Sequence, residues 1–137
     1  MKKGSVLIVL CAFILVFSVS IAASTVYINE IEVNPESTDS GNEWIELYND
    51  GPSVNLNNWF LQNKDGKNYS LSGNVIDKIF VLDFLSGLDN NGQEIKLLDN
   101  NGILKDSYLN FDDNENDSRT WSRMPDGSGS FVFQDAT

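Results

Sequence analysis

The sequence predicts an all-β protein, an antiparallel β-sandwich that follows an N-terminal signal segment. After residue 24, short stretches of alternating apolar and polar residues are separated by turn residues such as Asn-Gly, Asp-Gly and Gly-Pro, which is typical of half-buried strands. No stretch outside the signal segment shows the period of an amphipathic helix. A domain of about 110 residues buries roughly two thirds of its surface, which is enough for one sandwich.

Residues 1–23 are predicted to be a secretory signal peptide, and residues 24–137 to be the folded domain. The segment has a basic start, an apolar run at 6–21 and small residues at 22–24, the pattern of a cleavable signal. The alternative is a retained membrane anchor, because the run approaches the roughly 18 to 20 residues that a spanning helix needs. The protein is therefore expected to be secreted or at the cell surface, with membrane contact only if the segment is retained.

Residues 43–49, Glu-Trp-Ile-Glu-Leu-Tyr-Asn, predict the central strand of the domain. Ile45 and Leu47 fall on one face of this strand, and the side chains at the positions between and beside them fall on the other. The Asp-Gly-Pro-Ser segment at 50–53 has strong turn chemistry. A second strand is predicted at 54–61, and we expect it to be the antiparallel neighbour of the first.

The remaining elements show the same short apolar alternation bounded by turn residues. They are a first strand at 26–33 with a bulge before Ile31, a polar loop at 36–41, an edge strand at 69–71, a buried strand at 79–82, and strands at 93–97, 103–109 and 131–133. Leu-Asp-Asn-Asn-Gly occurs at both 88–92 and 98–102. We interpret it as two Asn-Gly turns that bracket one strand, rather than as a repeat of calcium-binding turns.

Several of these segments resemble the lamin-tail domain. They are Ile-Asn-Glu-Ile at 28–31 with Asn-Pro at 34–35, the strand at 43–49, Leu-Asn-Asn-Trp at 56–59, residues 91–99 with Gly102, residues 122–129, and Phe-Gln-Asp at 133–135. The resemblance covers nearly all of residues 28–137. It implies an immunoglobulin-like sandwich, of the kind that occurs in nuclear lamins and in secreted bacterial and archaeal proteins, some of them attached to exported hydrolases. It implies the fold more firmly than the function.

The charge of the chain argues against nucleic acid as a partner. Without Lys2 and Lys3 the domain has seven basic and 20 acidic residues, a net charge of −13. Such a surface repels phosphate backbones and anionic lipids. The chromatin association of some lamin tails is therefore not expected here.

The sequence offers little catalytic chemistry, and we predict that the protein is not an enzyme. It has no histidine, and its single cysteine, Cys11, lies in the signal segment. This composition excludes Ser-His-Asp and Cys-His nucleophiles, histidine zinc sites, thiolate metal sites and disulfides in the domain. No cofactor is expected, apart from a calcium candidate. Asp113, Glu115 and Asp117 are alternate oxygen ligands that could converge on Ca²⁺, and the alternative is a solvated acidic loop.

Four residues are predicted to have structural roles: Trp44, Glu46, Trp59 and Arg123. We expect at least two of the three tryptophans, Trp44, Trp59 and Trp121, to be core or half-core residues, with an exposed platform for stacking sugars as the alternative. Either Glu43 or Glu46 is expected to pair with Arg119 or Arg123, because guanidinium and carboxylate groups match in shape. Arg123 is expected to tie the C-terminal segment to the sandwich.

These features together predict an exported, non-catalytic binding or structural module of the cell surface. Its expected partner is a protein or an envelope polysaccharide, contacted through a sheet edge or through the loops at 36–41 and 110–118. One alternative is an accessory domain of an exported hydrolase or nuclease system. The other is a calcium-stabilised adhesion module.

Overall fold

The structure, a computed structural model, describes residues 25–137, which form eleven β-strands and no helix. The predicted signal segment lies outside the described residues. The strands are β1 (Val26–Glu32), β2 (Glu43–Asn49), β3 (Val54–Asn55), β4 (Phe60–Asn63), β5 (Asn68–Ser70), β6 (Val75–Ile76), β7 (Ile79–Leu85), β8 (Gln93–Leu98), β9 (Leu104–Phe111), β10 (Arg119–Met124) and β11 (Ser130–Asp135).

The strands form two main antiparallel sheets and one small sheet. The first main sheet has the order β11-β10-β1-β2-β7, and the second has the order β5-β4-β8-β9. The short strands β3 and β6 pair with each other. Buried side chains from both main sheets form one hydrophobic cluster. The predicted fold class, an immunoglobulin-like antiparallel β-sandwich, is confirmed.

The core is built from aliphatic side chains that alternate along the inner strands. Ile45 and Leu47 of β2 are fully buried, as predicted from their spacing, and so are Leu61, Ile95 and Leu97 of the second sheet. Burying one such side chain contributes about 1.5–3 kcal/mol relative to leaving it exposed. Residues 25–137 contain no cysteine, so no disulfide supplements the stability that this core provides.

A bulge at Asn29 interrupts β1. Ile28 pairs with Leu47 of β2, whereas Glu30 pairs with Glu46, so Asn29 is the extra residue. The bulge shifts the alternation of β1 and keeps the apolar residues on both sides of it in the core. The bulge predicted from the sequence is confirmed.

The predicted pairing of 43–49 with 54–61 is wrong. β2 lies between β1 and β7, and the segment after its turn enters the second sheet as β4. The buried side chain of Asn49 directs this crossing, because its Nδ2 donates to the carbonyl oxygens of Pro52 at 2.8 Å and Asp77 at 3.1 Å. The turn residues therefore mark a crossover between sheets instead of a hairpin.

The strand predicted as buried at 79–82 is also different in the structure. It belongs to β7, which is an edge strand of the first sheet. Phe80 and Leu82 pack against the core, whereas Ile79 is 52% exposed and Val81 is 44% exposed. The apolar run indicated a buried strand, but at this edge nothing in residues 25–137 covers the outer face.

Candidate functional site

The candidate site is a shallow groove of about 300 Å³ on the second sheet. It is lined by Asn58, Trp59, Phe60, Asn68, Ser70 and Ser72. Two adjacent strands of this sheet, β4 and β5, carry most of the lining, and their residues Leu61 and Tyr69 are buried in the core. Since side chains alternate along a strand, their neighbours on β4 and β5 face outward into the groove.

The floor of the groove is fixed by hydrogen bonds between the segments before β4 and after β5. Phe60 pairs with Ser70 in the antiparallel ladder. The backbone N–H of Leu71 donates to the carbonyl of Trp59 at 3.0 Å, and that of Asn58 donates to Ser72 Oγ at 2.8 Å. Asn58 has a φ of +62°, a left-handed conformation that asparagine tolerates better than most residues. The lining residues are thus held mainly by the backbone, and the hydroxyl oxygens of Ser70 and Ser72 each accept a backbone N–H.

Several polar groups in the groove remain open to a ligand. Among residues 25–137 the side-chain amide of Asn58 makes no hydrogen bond, and Asn68 uses only its oxygen, which accepts from Gln62 Nε2 at 3.0 Å. Each of these amides can both donate and accept. The hydroxyls of Ser70 and Ser72 add two further donors.

Trp59 gives the groove an aromatic wall. Its side chain is half-buried and packs against the hydrophobic core, and the Nζ of Lys105 lies 6.0 Å from its ring centroid. None of the lining residues carries a formal charge, although the domain has a net charge of −13. The lining of the groove is therefore neutral, with one cation, Lys105, beside its aromatic wall, on a domain of acidic net charge.

The three predicted calcium ligands, Asp113, Glu115 and Asp117, have different surroundings and different partners. Asp113 is buried, and its Oδ1 accepts from the N–H of Glu115 at 3.1 Å. The Glu115 side chain is exposed, and Asp117 pairs with Arg119 at 2.7 Å. Among residues 25–137 no group of three or more acidic side chains is arranged to hold a metal ion. The structure therefore does not bring these residues together as ligands.

Glu32, which the sequence did not single out, lies near Asp113 and Asp117, and its pKa is shifted more than theirs. It is only 3% exposed, and burial raises its pKa to about 7. The N–H of Asn34, which donates to its Oε1 at 2.9 Å, opposes this shift, while the nearby charges of Asp113, Asp117 and Glu30 add to it. Burial also raises the pKa of Asp113, whose Oδ2 is buried without a hydrogen-bond partner in residues 25–137.

Glu46 and Arg123 do not pair with each other, but each helps to hold the segment near the C-terminus against β1. Glu46 Oε1 accepts from Asn29 Nδ2 at 2.8 Å, and Asn29 Oδ1 accepts from the N–H of Gly127 at 2.9 Å. Burial raises the pKa of Glu46. These contacts tie the turn after β10 to the bulge of β1.

Arg123 closes the same bulge from the other side. Its Nε donates to the carbonyl of Ile28 at 3.0 Å, and one terminal nitrogen donates to Asp106 Oδ2 at 2.9 Å. Asp106 Oδ2 in turn accepts the N–H of Ile28 at 2.9 Å. The predicted pairing of a β2 glutamate with an arginine is wrong, because Arg123 pairs with Asp106 and Arg119 pairs with Asp117.

The tryptophans occupy three different surroundings. Trp121 packs against the core and among aromatic side chains of β9 and β11, and its Nε1 donates to the carbonyl of Asp112 at 3.0 Å. Trp44 is half-buried on β2, on the face opposite to Ile45. Only Trp59 lines the groove.

Comparison with known proteins adds no relative: no family model, no curated protein and no solved structure matches the chain. The resemblance to the lamin-tail domain therefore stays a prediction. In the described part of the chain, no helix is long and apolar enough to cross a membrane.

Proposed function

We propose that the protein is an exported, non-catalytic module of the lamin-tail type that binds a neutral glycan of the cell envelope. The observation that carries this proposal is the uncharged groove of Asn58, Trp59, Phe60, Asn68, Ser70 and Ser72. An aromatic wall beside a few fixed amides and hydroxyls is typical of small-ligand sites that bind by packing and directed hydrogen bonds. The apolar face of a pyranose suits the ring, and its hydroxyls suit the amides.

The surroundings of the groove favour a neutral ligand. An anionic polymer would be repelled by a domain with 20 acidic residues. A cationic ligand would find no carboxylate among the lining residues. A neutral polysaccharide meets neither difficulty, and the open, shallow shape admits a chain that extends beyond the groove.

The positions of Glu43 and Glu46 on β2 favour a binding role for the groove over a catalytic one. Glycoside hydrolysis needs two carboxyl groups that flank the bond to be cleaved. Glu43 is 1% exposed, with Oε2 accepting the N–H of Leu88, and Glu46 is 9% exposed and bonded to Asn29. Neither can reach a sugar in the groove. A glycan-binding module also suits the role of accessory domain to an exported hydrolase, which the lamin-tail resemblance suggests.

The test is a titration of the purified protein with soluble neutral and anionic polysaccharides, followed by calorimetry. We expect neutral chains to bind, and Asn68→Ala and Trp59→Ala to weaken binding about tenfold or more, the loss of one good contact. Asn68 is exposed, so its substitution tests binding without disturbing the core. Trp44→Ala, on the other sheet, is the control and should bind as the wild type does. Binding of anionic chains only, or unchanged binding by Asn68→Ala and Trp59→Ala, would contradict the proposal.

A further inference from the structure

The outer face of the second sheet continues from the groove across all four strands. The antiparallel registers of β5-β4-β8-β9 set one residue of each strand beside the next, so the side chains form rows that run across the strands. The apolar row consists of Ser70, Phe60, Leu98 and Leu104. The polar row consists of Asn68, Gln62, Lys96 and Ser107. The groove occupies only the end of these rows that lies on β5 and β4.

The apolar row prolongs the groove with surface that suits the apolar faces of sugar rings. Leu98 is half-buried and Leu104 is 53% exposed. A single exposed leucine is ordinary on a protein surface. These two, however, stand in line with Phe60, which lines the groove. A ligand seated in the groove therefore meets a continuous apolar track if it extends toward β9.

The polar row keeps hydrogen-bonding atoms free beside this track. Gln62 Nε2 donates to Asn68 Oδ1 at 3.0 Å, which leaves Gln62 Oε1 as a free acceptor and Asn68 Nδ2 as a free donor within residues 25–137. The hydroxyl of Ser107 makes no hydrogen bond in the same range, and only its backbone N–H is used. Amides and hydroxyls can both donate and accept, and the hydroxyls of a sugar do the same.

The charges on this face cancel. Lys96 Nζ lies 2.9 Å from Oε1 of Glu94 on the same strand, and the two rows hold no other charged side chain. One further cation, Lys105, borders the apolar row, with its Nζ 6.0 Å from the ring centroid of Trp59. On a domain with a net charge of −13, such a face favours a neutral ligand over an anionic one.

The spacing of the strands fits one class of polymer. Neighbouring strands lie about 4.8 Å apart, so the four strands span about 14 Å. A chain of β-1,4-linked pyranoses stays extended and advances by a similar distance per sugar, whereas an α-1,4-linked chain coils away from a surface. The sheet also twists by roughly 20–25° per strand. A single chain can follow this twist by rotating at each linkage, which a crystalline polysaccharide cannot.

We propose that the outer face of the second sheet holds a single, extended chain of β-linked neutral pyranoses that crosses β5, β4, β8 and β9 from the groove to Leu104. The rings pack on the apolar row, and the hydroxyls along one side of the chain bond to the polar row. This inference rests on the proposed function, to which it adds the linkage of the glycan and its path over the protein.

The first test compares oligosaccharides of different length, linkage and charge by calorimetry. The probes are β-1,4-linked glucose oligomers of two and six sugars, because all hydroxyls of this sugar are equatorial and both ring faces are apolar. The controls are an α-1,4-linked glucose hexamer and a β-1,4-linked mannuronate hexamer. We expect the β-linked glucose hexamer to bind about tenfold or more tightly than the disaccharide, and neither control to bind more tightly than the disaccharide.

The outcomes separate this inference from the proposed function. If disaccharide and hexamer bind equally, or if either control binds as tightly as the β-linked glucose hexamer, the inference is overturned and a neutral-glycan site confined to the groove remains. If neither β-linked glucose oligomer binds, the inference is also overturned, and the proposed function then depends on its own titration with polysaccharides.

Two leucines of β9 provide a matched pair of variants. Leu104 and Leu109 are 53% and 49% exposed, but Leu109 pairs with Glu94 and so lies beyond the polar row. Leu104→Ala should weaken hexamer binding about fivefold, the loss of roughly 40 Å² of apolar contact, and leave the disaccharide affinity unchanged. Leu109→Ala should bind both oligomers as the wild type does. Unchanged hexamer binding in Leu104→Ala, an equal loss for the disaccharide, or an equal effect of Leu109→Ala overturns the inference.

Discussion

Replacing Glu32 by glutamine should stabilise the protein above neutral pH and leave it unchanged in acid. The folded protein holds the proton of this carboxyl up to a pKa of about 7, whereas the unfolded chain releases it near 4.5. Between these values the folded state binds more protons, so stability falls as the pH rises through this window. A shift of this size corresponds to a loss on the order of 3 kcal/mol, fully present above pH 7.

Glutamine removes this loss while keeping the local structure. Its side-chain oxygen can still accept the N–H of Asn34, and it carries no charge to meet those of Asp113 and Asp117. At pH 8 we expect Glu32→Gln to melt about 10 °C higher than the wild type, taking about 4 °C per kcal/mol for a domain of this size. Near pH 4 the two melting temperatures should converge.

The assay is thermal unfolding of both proteins from pH 4 to pH 8, followed by circular dichroism. The difference between the two curves isolates Glu32 from the other carboxyls, which titrate in both proteins. Glu36→Gln, an exposed carboxylate in the neighbouring loop, is the control and should follow the wild type. A constant difference between Glu32→Gln and the wild type across this range would refute the reasoning, because the effect would then not come from ionisation of Glu32.

Two further predictions concern the segment near the C-terminus. Arg123→Ala should destabilise the fold by about 3 kcal/mol in urea unfolding, because it breaks an ion pair whose side chains are only 15% and 16% exposed. Arg119→Ala should lose at most about 1 kcal/mol in the same measurement, because both side chains of its ion pair are 38% exposed. Gly127→Ala should be more destabilising than Gly102→Ala, by about 1–3 kcal/mol in the same assay, because both have positive φ but only the Cβ at 127 would meet Tyr48, at 2.6 Å. Equal losses of stability in Arg123→Ala and Arg119→Ala would contradict the role given to the Arg123 ion pair. Equal losses in Gly127→Ala and Gly102→Ala would contradict the close contact with Tyr48.

The strands were predictable because their signals are local. Alternation gave the inward residues of β2, and the Asn-Gly turns at 88–92 and 98–102 do bracket β8, with Gly102 donating its N–H to Asp99 at 2.9 Å. Which strands become neighbours is not a local property. β1 pairs with β10, about ninety residues further on, and no turn signal records that choice.

The groove and the buried carboxyls depend on these distant pairings. The alternation around Trp59 indicated a strand, and Tyr-Ser-Leu at 69–71 indicated another. Only their pairing as β4 and β5 sets asparagine and serine beside the ring. Glu32 reads as a polar residue of a half-buried strand. Its burial follows from the loops that the fold brings against it, through contacts such as Asn34 Nδ2 to the carbonyl of Asp113 at 3.1 Å.

The contact of Ile28 with Asp106 and Arg123 has a consequence for the order in which the molecule is completed. Both backbone groups of this early residue are satisfied by side chains 78 and 95 positions later, and contacts of such long range form slowly. A ribosome or a translocation channel releases the chain from its N-terminus, so β1 waits without its second neighbour until β10 has emerged. The first strand to emerge therefore gains its second neighbour only when nearly the whole domain is outside.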